Sequence, residues 1–231
     1  MINSLRLFFT VFIFIFLANA QGAETQNSGG IGLNKSRIII QPNEKQTMLG
    51  VRNTSKTQHF LVQSFVETFS RQKVNDLIIT PPLFVMKPMD ENTLRIINTG
   101  VKMPDDRETL YWVSVKAIPS SASEEKGNSL KIAIQNRIRL LVRPEGLTIS
   151  VSEAPGMLQF RRTANELIVN NPTPYYLSLV NFKVGSTRLN SETVEPFKEM
   201  RLPLPTQAKG DVSVQTVNDY GSWTPVIKRA L

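Results

Sequence analysis

The amino-acid sequence predicts an all-β protein built from two β-sandwich domains. From Ile31 onward the apolar residues recur with a period of two far more often than with a period of 3.6. The apolar segments are short, and turn-forming Asn, Pro, Asp and Gly separate them. With 231 residues, of which 41% are hydrophobic and 20% charged, the chain can bury the core of one large domain or of two small ones.

The first predicted domain spans residues 31–143. Its strand-like segments are rich in Val, Ile, Phe and Thr, and in chain order they are LNKSRIII, QTMLGVRN, HFLVQSFVE, LIITPPLFVMKP, TLRIIN, LYWVSVKAI and LKIAIQNRIRLLV. Short strands at this spacing are typical of an antiparallel sandwich. The polar segment SSASEEKGNS at 120–129 predicts a loop that leads into the last of these strands.

A second, smaller β domain is predicted over residues 147–228. The segment RPEGL at 143–147 interrupts the strand pattern with Pro and Gly, which indicates a short hinge. The strand-like segments beyond it are LTISVSE, NELIVNNP, PYYLSLVNFKV, EMRLPLP and DVSVQTVNDYGSW. Two sandwich domains joined by this hinge are the simplest arrangement of these elements.

The N-terminus has the pattern of a cleaved secretory signal peptide over residues 1–20. Arg6 precedes the apolar run LFFTVFIFIFL, and the small residues of ANA follow it. This run is shorter than the roughly 20 apolar residues of a membrane span, so an uncleaved anchor is the weaker alternative. Cleavage is expected after Ala20, with Ala23 as a second possibility. We therefore expect an exported protein.

Composition argues against several classes of partner and chemistry. The signal peptide contains one arginine and no acidic residue, so the net charge of +8 falls to +7 after cleavage. The basic residues form no long run and are not interleaved with aromatic residues, which disfavours nucleic acid as a partner. The chain has no cysteine, so thiolate chemistry and cysteine metal sites are absent.

The sequence also disfavours an enzyme. His59 is the only histidine and has no catalytic motif around it, which makes an edge or surface histidine the better interpretation. Two adjacent carboxylate pairs, Asp105–Asp106 and Glu124–Glu125, lie in turn-like surroundings where neighbouring side chains point apart. We expect no metal and no cofactor. A hydrolase that uses carboxylates alone is left open.

The segment NSLKIAIQNRIRLLVRP at 128–144 is apolar at one end and cationic at the other. Leu130, Ile132 and Ile134 alternate with polar or small residues. Such residues can face the core of their own domain, which periodicity alone favours. Alternatively, an exposed edge strand can extend the sheet of a partner while its alternate side chains fill the partner's pockets.

The arginines of this segment favour a partner. Arg139 lies between Ile138 and Leu140, and a buried guanidinium without an anion is very costly. Arg37 similarly precedes an apolar run. Two guanidinium groups that converge on one carboxylate would form a strong, directional anchor. The alternative for Arg37 is an ordinary surface charge at the start of a strand.

Several motifs together resemble the periplasmic pilus (fimbrial) chaperones of the PapD type. They are LNKSR, KIAIQNRIRLLVRP, TPPLFVMKP, PDDRETLYW, NPTPYY and NDYG, and they cover essentially the whole mature sequence. The resemblance implies two immunoglobulin-like domains in an L-shaped arrangement, with an interdomain cleft. The resemblance also implies that the protein pairs a strand with a pilin, which is a known mode of recognition.

The resemblance also assigns roles to the residues already identified. Arg37 matches the family's cleft arginine and Arg139 its cleft lysine, and the cleft holds the C-terminal carboxylate of a pilus subunit. Arginine in place of lysine keeps the charge but changes its shape and reach. Leu130, Ile132 and Ile134 match the residues of the strand that the family lends to its subunits. The apolar end would complete the subunit fold, and the cationic end would hold its terminus.

Three further charges are implied to connect the domains. Glu108, Arg143 and Asp219 match a charged trio of this family, and one arginine between two carboxylates could fix the angle between the domains. Three unrelated surface charges are the alternative. The short loop at 120–129 and the absence of cysteine resemble the short-loop branch of these chaperones.

The sequence therefore predicts a non-enzymatic chaperone of the Gram-negative periplasm. It would bind pilus subunits by donating a strand, prevent their aggregation and deliver them to an outer-membrane usher. When unbound, it could self-associate through the donor edge. The main alternative is a structural or adhesive protein of a surface fibre, although residues 21–30 lack the alternating apolar residues of a donor segment. A carbohydrate-active enzyme is the third hypothesis.

Overall fold

The computed structural model describes residues 29–100, 103–120 and 132–231. The predicted signal peptide, both predicted cleavage positions, Leu130 and most of the predicted loop at 120–129 lie outside these residues. Within them the chain is nearly all β. It folds into two domains, each with its own hydrophobic core.

The first domain is a sandwich of two sheets. Its strands are β1 (Ile31–Leu33), β2 (Arg37–Ile40), β3 (Gln46–Asn53), β4 (Phe60–Thr68), β5 (Leu77–Thr80), β6 (Leu83–Met86), β7 (Glu91–Asn98), β8 (Thr109–Pro119) and β9 (Ile134–Val142). One sheet has the order β1-β3-β7-β5, and the other has the order β2-β9-β8-β4-β6. The strand pairs are antiparallel except for β2 and β9, which run parallel.

Alternation of apolar residues builds this core, as the sequence predicts. Leu49 and Val51 of β3 and Leu94 and Ile96 of β7 point inward from one sheet. Side chains of the facing sheet pack against them, including Ile38, Val62, Val113, Val115 and Leu140. Each fully buried side chain of this size contributes about 1.5–3 kcal/mol by leaving water.

The second domain also contains two sheets. Its elements are a short 3₁₀ helix (Ala154–Met157), β10 (Gln159–Arg162), β11 (Glu166–Asn171), β12 (Leu177–Val184), β13 (Thr187–Arg188), β14 (Glu192–Val194), β15 (Lys198–Pro203), β16 (Val212–Thr216) and β17 (Ile227–Arg229). One sheet has the order β10-β11-β15. The other has the order β13-β12-β16-β17, with β14 paired to β12.

The strand predicted over LTISVSE is wrong. Residues 147–153 form turns that lead into the 3₁₀ helix. The main-chain carbonyl of Ser150 accepts the N–H of Glu153, and the Ser150 hydroxyl donates to the Glu153 carboxylate. These local hydrogen bonds hold the backbone in a turn. Leu147, Ile149 and Val151 still pack against the core, which explains their strand-like spacing.

Candidate functional site

The two arginines predicted to bind an anion lie side by side on the outer face of the first domain. Arg37 and Arg139 are opposite each other in the parallel pairing of β2 with β9. In the next pairing along the same sheet, Arg139 lies opposite Trp112 of β8. Strand register therefore brings together residues that are about 100 positions apart in the sequence.

Arg37 is buried, with 9% of its surface exposed. One of its terminal amino groups, Nη1, donates to the main-chain carbonyl of Val217 in the second domain over 2.9 Å. Its Nε is buried and has no hydrogen-bond partner among the described residues. Burial lowers the pKa of Arg37, and the carboxylates of Asp219 and Glu108 offset part of that effect.

Arg139 has a similar environment. Its Nη2 donates to the hydroxyl of Thr193 in the second domain over 2.9 Å, and its guanidinium lies 5.1 Å from the centre of the Trp112 ring. Its Nε is also buried and lacks a partner within the part of the chain that the structure describes. Burial lowers the pKa of Arg139, and repulsion from Arg37 lowers it further.

Two adjacent, partly desolvated cations create a favourable electrostatic environment for an anion. Desolvation is costly for each guanidinium, and an opposite charge would offset that cost. A carboxylate has two acceptor oxygens that match the spacing of the N–H groups in a guanidinium. The charge and the donor type of Arg37 and Arg139 are therefore those that carboxylate binding requires.

The predicted charged trio is assembled by direct hydrogen bonds. Arg143 donates from Nε to Glu108 over 2.7 Å, and from Nη1 and Nη2 to both oxygens of Asp219 over 2.7 and 2.8 Å. The other Glu108 oxygen accepts the N–H of Tyr176 over 2.9 Å. Glu108 and Arg143 belong to the first domain and Asp219 and Tyr176 to the second, so these bonds cross between the domains.

Burial and pairing affect the pKa values of this trio in different ways. Burial raises the pKa of Glu108, which is only 2% exposed, and Arg143 and the Tyr176 N–H offset part of that rise. Burial alone lowers the pKa of Arg143, but its hydrogen bonds to Asp219 and Glu108 outweigh this effect and raise the pKa above its usual value. Arg143 is therefore a firmly charged group.

The NDYG turn places Asp219 against the first domain. Gly221 has a φ of +84°, and a side chain at this position would collide with the hydroxyl of Ser36. Glycine relieves both the strain and the collision. Close to this turn, the N–H of Glu108 donates to the carbonyl of Pro174 over 2.9 Å.

The structure describes two of the three predicted donor residues, Ile132 and Ile134. Leu130 lies outside the described residues. Ile132 and Ile134 are 65% and 60% exposed, so they do not face the core of their own domain, which was the alternative. Their spacing continues that of Ile138 and Leu140, which are buried. The apolar pattern thus extends beyond the core into solvent.

The edge of β9 beside these isoleucines has no strand on one side. β8 pairs with β9 from Ile134 to Val142, whereas β2 pairs with it only from Arg139 onward. Within the described parts of the chain, residues Ile134–Ile138 therefore have a strand neighbour on one side only. Unpaired main-chain N–H and C=O groups of this kind can accept another strand.

Sequence reasoning missed the second-domain residues that contact the anion site. Val217 contributes a main-chain carbonyl, which carries no side-chain signal. Thr193 lies in SETVEP, where nothing in the sequence distinguishes it from a surface threonine. Trp112 was within a quoted motif, but only the register of β8 with β9 reveals that it faces Arg139.

The described residues that were considered for catalysis do not assemble into a site. His59 is exposed immediately before β4, and Asp106 pairs with the adjacent Arg107 on the surface. Glu124 and Glu125 lie outside the described residues. Within residues 29–100, 103–120 and 132–231, no group of three His, Cys, Asp or Glu side chains could hold a metal, and no helix is long and apolar enough to span a bilayer.

Comparison with known proteins identifies the family. Residues 30–148 match the N-terminal domain of the PapD family, described as pili and flagellar-assembly chaperones. Residues 153–228 match the C-terminal domain of the PapD pili-assembly chaperones. The chain belongs to the PapD-like pilus-assembly chaperone family. Its fold is accordingly two immunoglobulin-like β-sandwich domains, as predicted.

Proteins similar to this chain over nearly its whole length are also named as fimbrial chaperones. The probable fimbrial chaperone ElfD of Escherichia coli strain K12 is 42% identical over 217 residues, which cover 94% of this chain and 93% of ElfD. The probable fimbrial chaperone SfmC of the same strain is 41% identical over 228 residues, which cover 98% of this chain and 97% of SfmC.

Solved structures of chaperones have the same fold. The periplasmic chaperone SfaE is 39% identical with a TM-score of 0.77, and the match covers 86% of this chain and 98% of SfaE. The SafB chaperone of Salmonella enterica, solved in complex with the SafA pilin, is 31% identical with a TM-score of 0.78. That match covers 87% of this chain and 96% of the other.

Proposed function

We propose that this chaperone binds pilus subunits in the periplasm by lending them the free end of β9. The observation that carries the proposal is the combination on one strand of an exposed apolar end and a buried cationic end. Ile132 and Ile134 are exposed beside an unpaired edge, and Arg139 lies further along the same strand beside Arg37. The relative SafB, solved with a pilin, supports a subunit as the partner.

The apolar end of the strand completes the subunit. A subunit that lacks one strand exposes a groove that is prone to pair with other edges and aggregate. β9 adds main-chain hydrogen bonds to the groove, and Leu130, Ile132 and Ile134 fill its successive pockets. Each filled pocket contributes at most about 1.5–3 kcal/mol before ordering costs.

The cationic end of the strand holds the subunit's C-terminal carboxylate. Arg37 and Arg139 supply donors that are already desolvated, so the anion restores the stabilisation that burial removes. The anchor also sets the register, because it fixes one end of the subunit while alternate residues of β9 enter the groove. Both functions therefore depend on one strand.

The trio of Glu108, Arg143 and Asp219 fixes the angle between the domains. This matters for binding because Val217 and Thr193, which contact the anchor arginines, belong to the second domain. A change in the angle would move these acceptors relative to Arg37 and Arg139. The trio acts on the anchor without touching the subunit.

Export and delivery complete the proposal. Residues 1–20 direct the chain to the periplasm and are removed there, and the loaded chaperone passes its subunit to an outer-membrane usher. The protein works without catalysis, nucleotide, metal or other cofactor. When no subunit is present, the donor edge allows two copies to associate.

A pull-down from the periplasm tests this proposal. Tagged parent protein is compared with two variants, Ile132→Asp and the double variant Arg37→Ala with Arg139→Ala, and bound proteins are identified by mass spectrometry. Val85→Asp is the matched control, because Val85 is a 61% exposed apolar residue on β6, at the far edge of the same sheet. We expect the parent and the control to retain small β-rich fibre subunits and both variants to lose them.

Three outcomes would contradict the proposal. Equal recovery of subunits with the parent and with Ile132→Asp would show that β9 is not the donor. Equal recovery with the arginine double variant would show that Arg37 and Arg139 are structural. The absence of any fibre subunit from the parent pull-down would overturn the chaperone role itself.

A further inference from the structure

Trp112 lies beside Arg139 but does not belong to the hydrophobic core of the first domain. It projects from β8 on the outer face of the sheet, opposite Arg139 in the register, while its chain neighbours Tyr111 and Val113 point into the core. Its indole N–H is directed at the carbonyl of Phe69 over 3.4 Å, which orients the ring.

The indole ring and the second domain hold the Arg139 guanidinium from two directions. The guanidinium carbon lies 5.1 Å from the centre of the Trp112 ring, which is within the range of a cation–π interaction. At the tip, Nη2 donates to the Thr193 hydroxyl over 2.9 Å. One face and one donor of the guanidinium are therefore occupied before any ligand binds.

These two contacts decide which donors remain for an anion. A guanidinium is a rigid planar group, so fixing one face and one corner fixes the direction of every other N–H. The Nε of Arg139 is itself buried and has no hydrogen-bond partner among the described residues. An ammonium group has no planar fork to orient, so a lysine in this position would gain less from the ring and from Thr193.

We propose that Trp112 and Thr193 are positioning residues, which set the orientation of the Arg139 guanidinium for carboxylate binding. This inference rests on the proposed function, because it refines the anchor that Arg37 and Arg139 form. The ring contributes from the first domain and the hydroxyl from the second. The anchor is thus complete only when the two domains are held in their observed arrangement.

The first test measures the orientation of the guanidinium directly. In ¹H–¹⁵N spectra of the Arg Nε–H groups, we expect the Arg139 signal to be displaced by the ring current of Trp112. Trp112→Leu should return it towards the ordinary arginine position, and Trp112→Phe should retain part of the displacement. Trp223→Leu is the matched control, because Trp223 is an exposed tryptophan in the second domain. An Arg139 signal unaffected by Trp112→Leu would contradict the stacking.

The second test measures the effect on carboxylate binding with acetate as the probe. Acetate is titrated at constant ionic strength into the parent protein, Trp112→Leu, Arg139→Lys and the double variant, and the Nε–H signal of Arg37 is followed. We expect Trp112→Leu to weaken acetate binding about fivefold in the parent background, as for a partly desolvated cation–π contact. In the Arg139→Lys background the same change should have an effect of less than about twofold.

This double-mutant cycle distinguishes a positioning role of Trp112 from a purely structural one. An equal loss in both backgrounds would show that Trp112 supports the fold rather than the guanidinium, and would overturn the inference. Thr193→Val, which keeps the side-chain volume and removes the acceptor, should weaken acetate binding in the parent background in the same way. Unchanged binding in Thr193→Val would remove Thr193 from the assignment.

Failure of this inference can be distinguished from failure of the proposed function. If acetate does not perturb the Nε–H signals of Arg37 and Arg139 in the parent protein, the anion anchor itself is wrong. If acetate binds to the parent and Arg37→Ala abolishes binding, but the Trp112 and Thr193 variants bind equally well, the anchor stands and only the positioning role is wrong.

Discussion

Arg139 and Arg143 are four residues apart on one face of one strand region, yet their surroundings differ. Arg143 donates to two carboxylates through three of its nitrogens. Arg139 donates to one neutral hydroxyl and leaves a buried Nε without a partner among the described residues. Removing one partner of a satisfied, buried ion pair is strongly destabilising, whereas a guanidinium with unmet donors carries a desolvation cost until an anion offsets it.

The hydrogen-bond partners of a buried arginine indicate whether it is available to bind an anion in this fold. Both arginines are desolvated and both contact the second domain, so burial alone does not separate them. The separation comes from the acceptors: Glu108 and Asp219 raise the pKa of Arg143 above its usual value, while no carboxylate is among the groups that affect the pKa of Arg139. A bound anion would therefore supply the counter-ion that Arg139 lacks among these groups.

Loss of the ion pairs that Arg143 forms with Glu108 and Asp219 should have the largest effect on stability. Arg143→Ala should lower the free energy of unfolding by about 3–5 kcal/mol, because it leaves the buried carboxylate of Glu108 without its counter-ion. Urea unfolding measures the change. Arg137→Ala is the matched control: Arg137 lies on the same strand, and its ion pair with Glu67 is longer, at 3.7 Å. That pair should contribute at most about 1 kcal/mol.

The second prediction concerns the unsatisfied site. Arg139→Met should change the free energy of unfolding by less than about 1 kcal/mol, because removal of an under-paired buried charge offsets the loss of its hydrogen bond to Thr193. The same variant should fail to retain pilus subunits. Urea unfolding and the pull-down measure the two properties. A loss of stability as large as that of Arg143→Ala would remove the distinction between the two arginines.

An inorganic anion should sharpen the comparison further. Sulfate at roughly five times its dissociation constant for the Arg37–Arg139 site should stabilise the parent by about 1 kcal/mol more than it stabilises Arg139→Met. The general stabilisation by sulfate applies to both proteins and cancels. Urea unfolding with and without sulfate measures this difference. Equal stabilisation of both proteins would show that the site does not bind anions.

The smallest effect is a pH dependence of the satisfied site. Burial raises the pKa of Glu108 in the folded protein above the ordinary glutamate value. The folded state therefore holds this proton to a higher pH than the unfolded state does, so the contribution of Glu108 to stability falls as the pH rises through the raised pKa. Relative to Glu108→Gln, the parent should be most stable at the acidic end of a series of urea titrations. The opposite slope would show that pairing with Arg143 dominates burial.

Much of the fold was predictable from local pattern. Alternating apolar residues predicted β3, β4, β7 and β8, because each of these strands has one face on the core. The same rule failed at LTISVSE, where alternate residues reach the core from turns rather than from a strand. Local hydrogen bonds between Ser150 and Glu153 closed the backbone there, and apolar spacing carries no information about them.

The candidate site was predictable only in part. The position of Arg139 between apolar residues pointed to an anion, because a buried guanidinium needs one, whereas the family resemblance implied the counter-ions of Arg143. The sequence could not predict which arginine has its counter-ion within the chain. That depends on which second-domain groups lie within hydrogen-bond distance of each arginine. Main-chain acceptors such as the Val217 carbonyl have no sequence signature at all.

Residue type and spacing were enough to predict that the chain is all β with two domains, and that one strand combines an apolar end with a cationic one. These properties follow from the residue type and its spacing along one strand. Only the tertiary structure decided that Ile132 and Ile134 remain in solvent, and that Arg139 meets Trp112 and Thr193 while Arg143 meets Glu108 and Asp219. Those contacts depend on strand register and on the packing of two domains, which bring distant residues together in ways that no local pattern encodes.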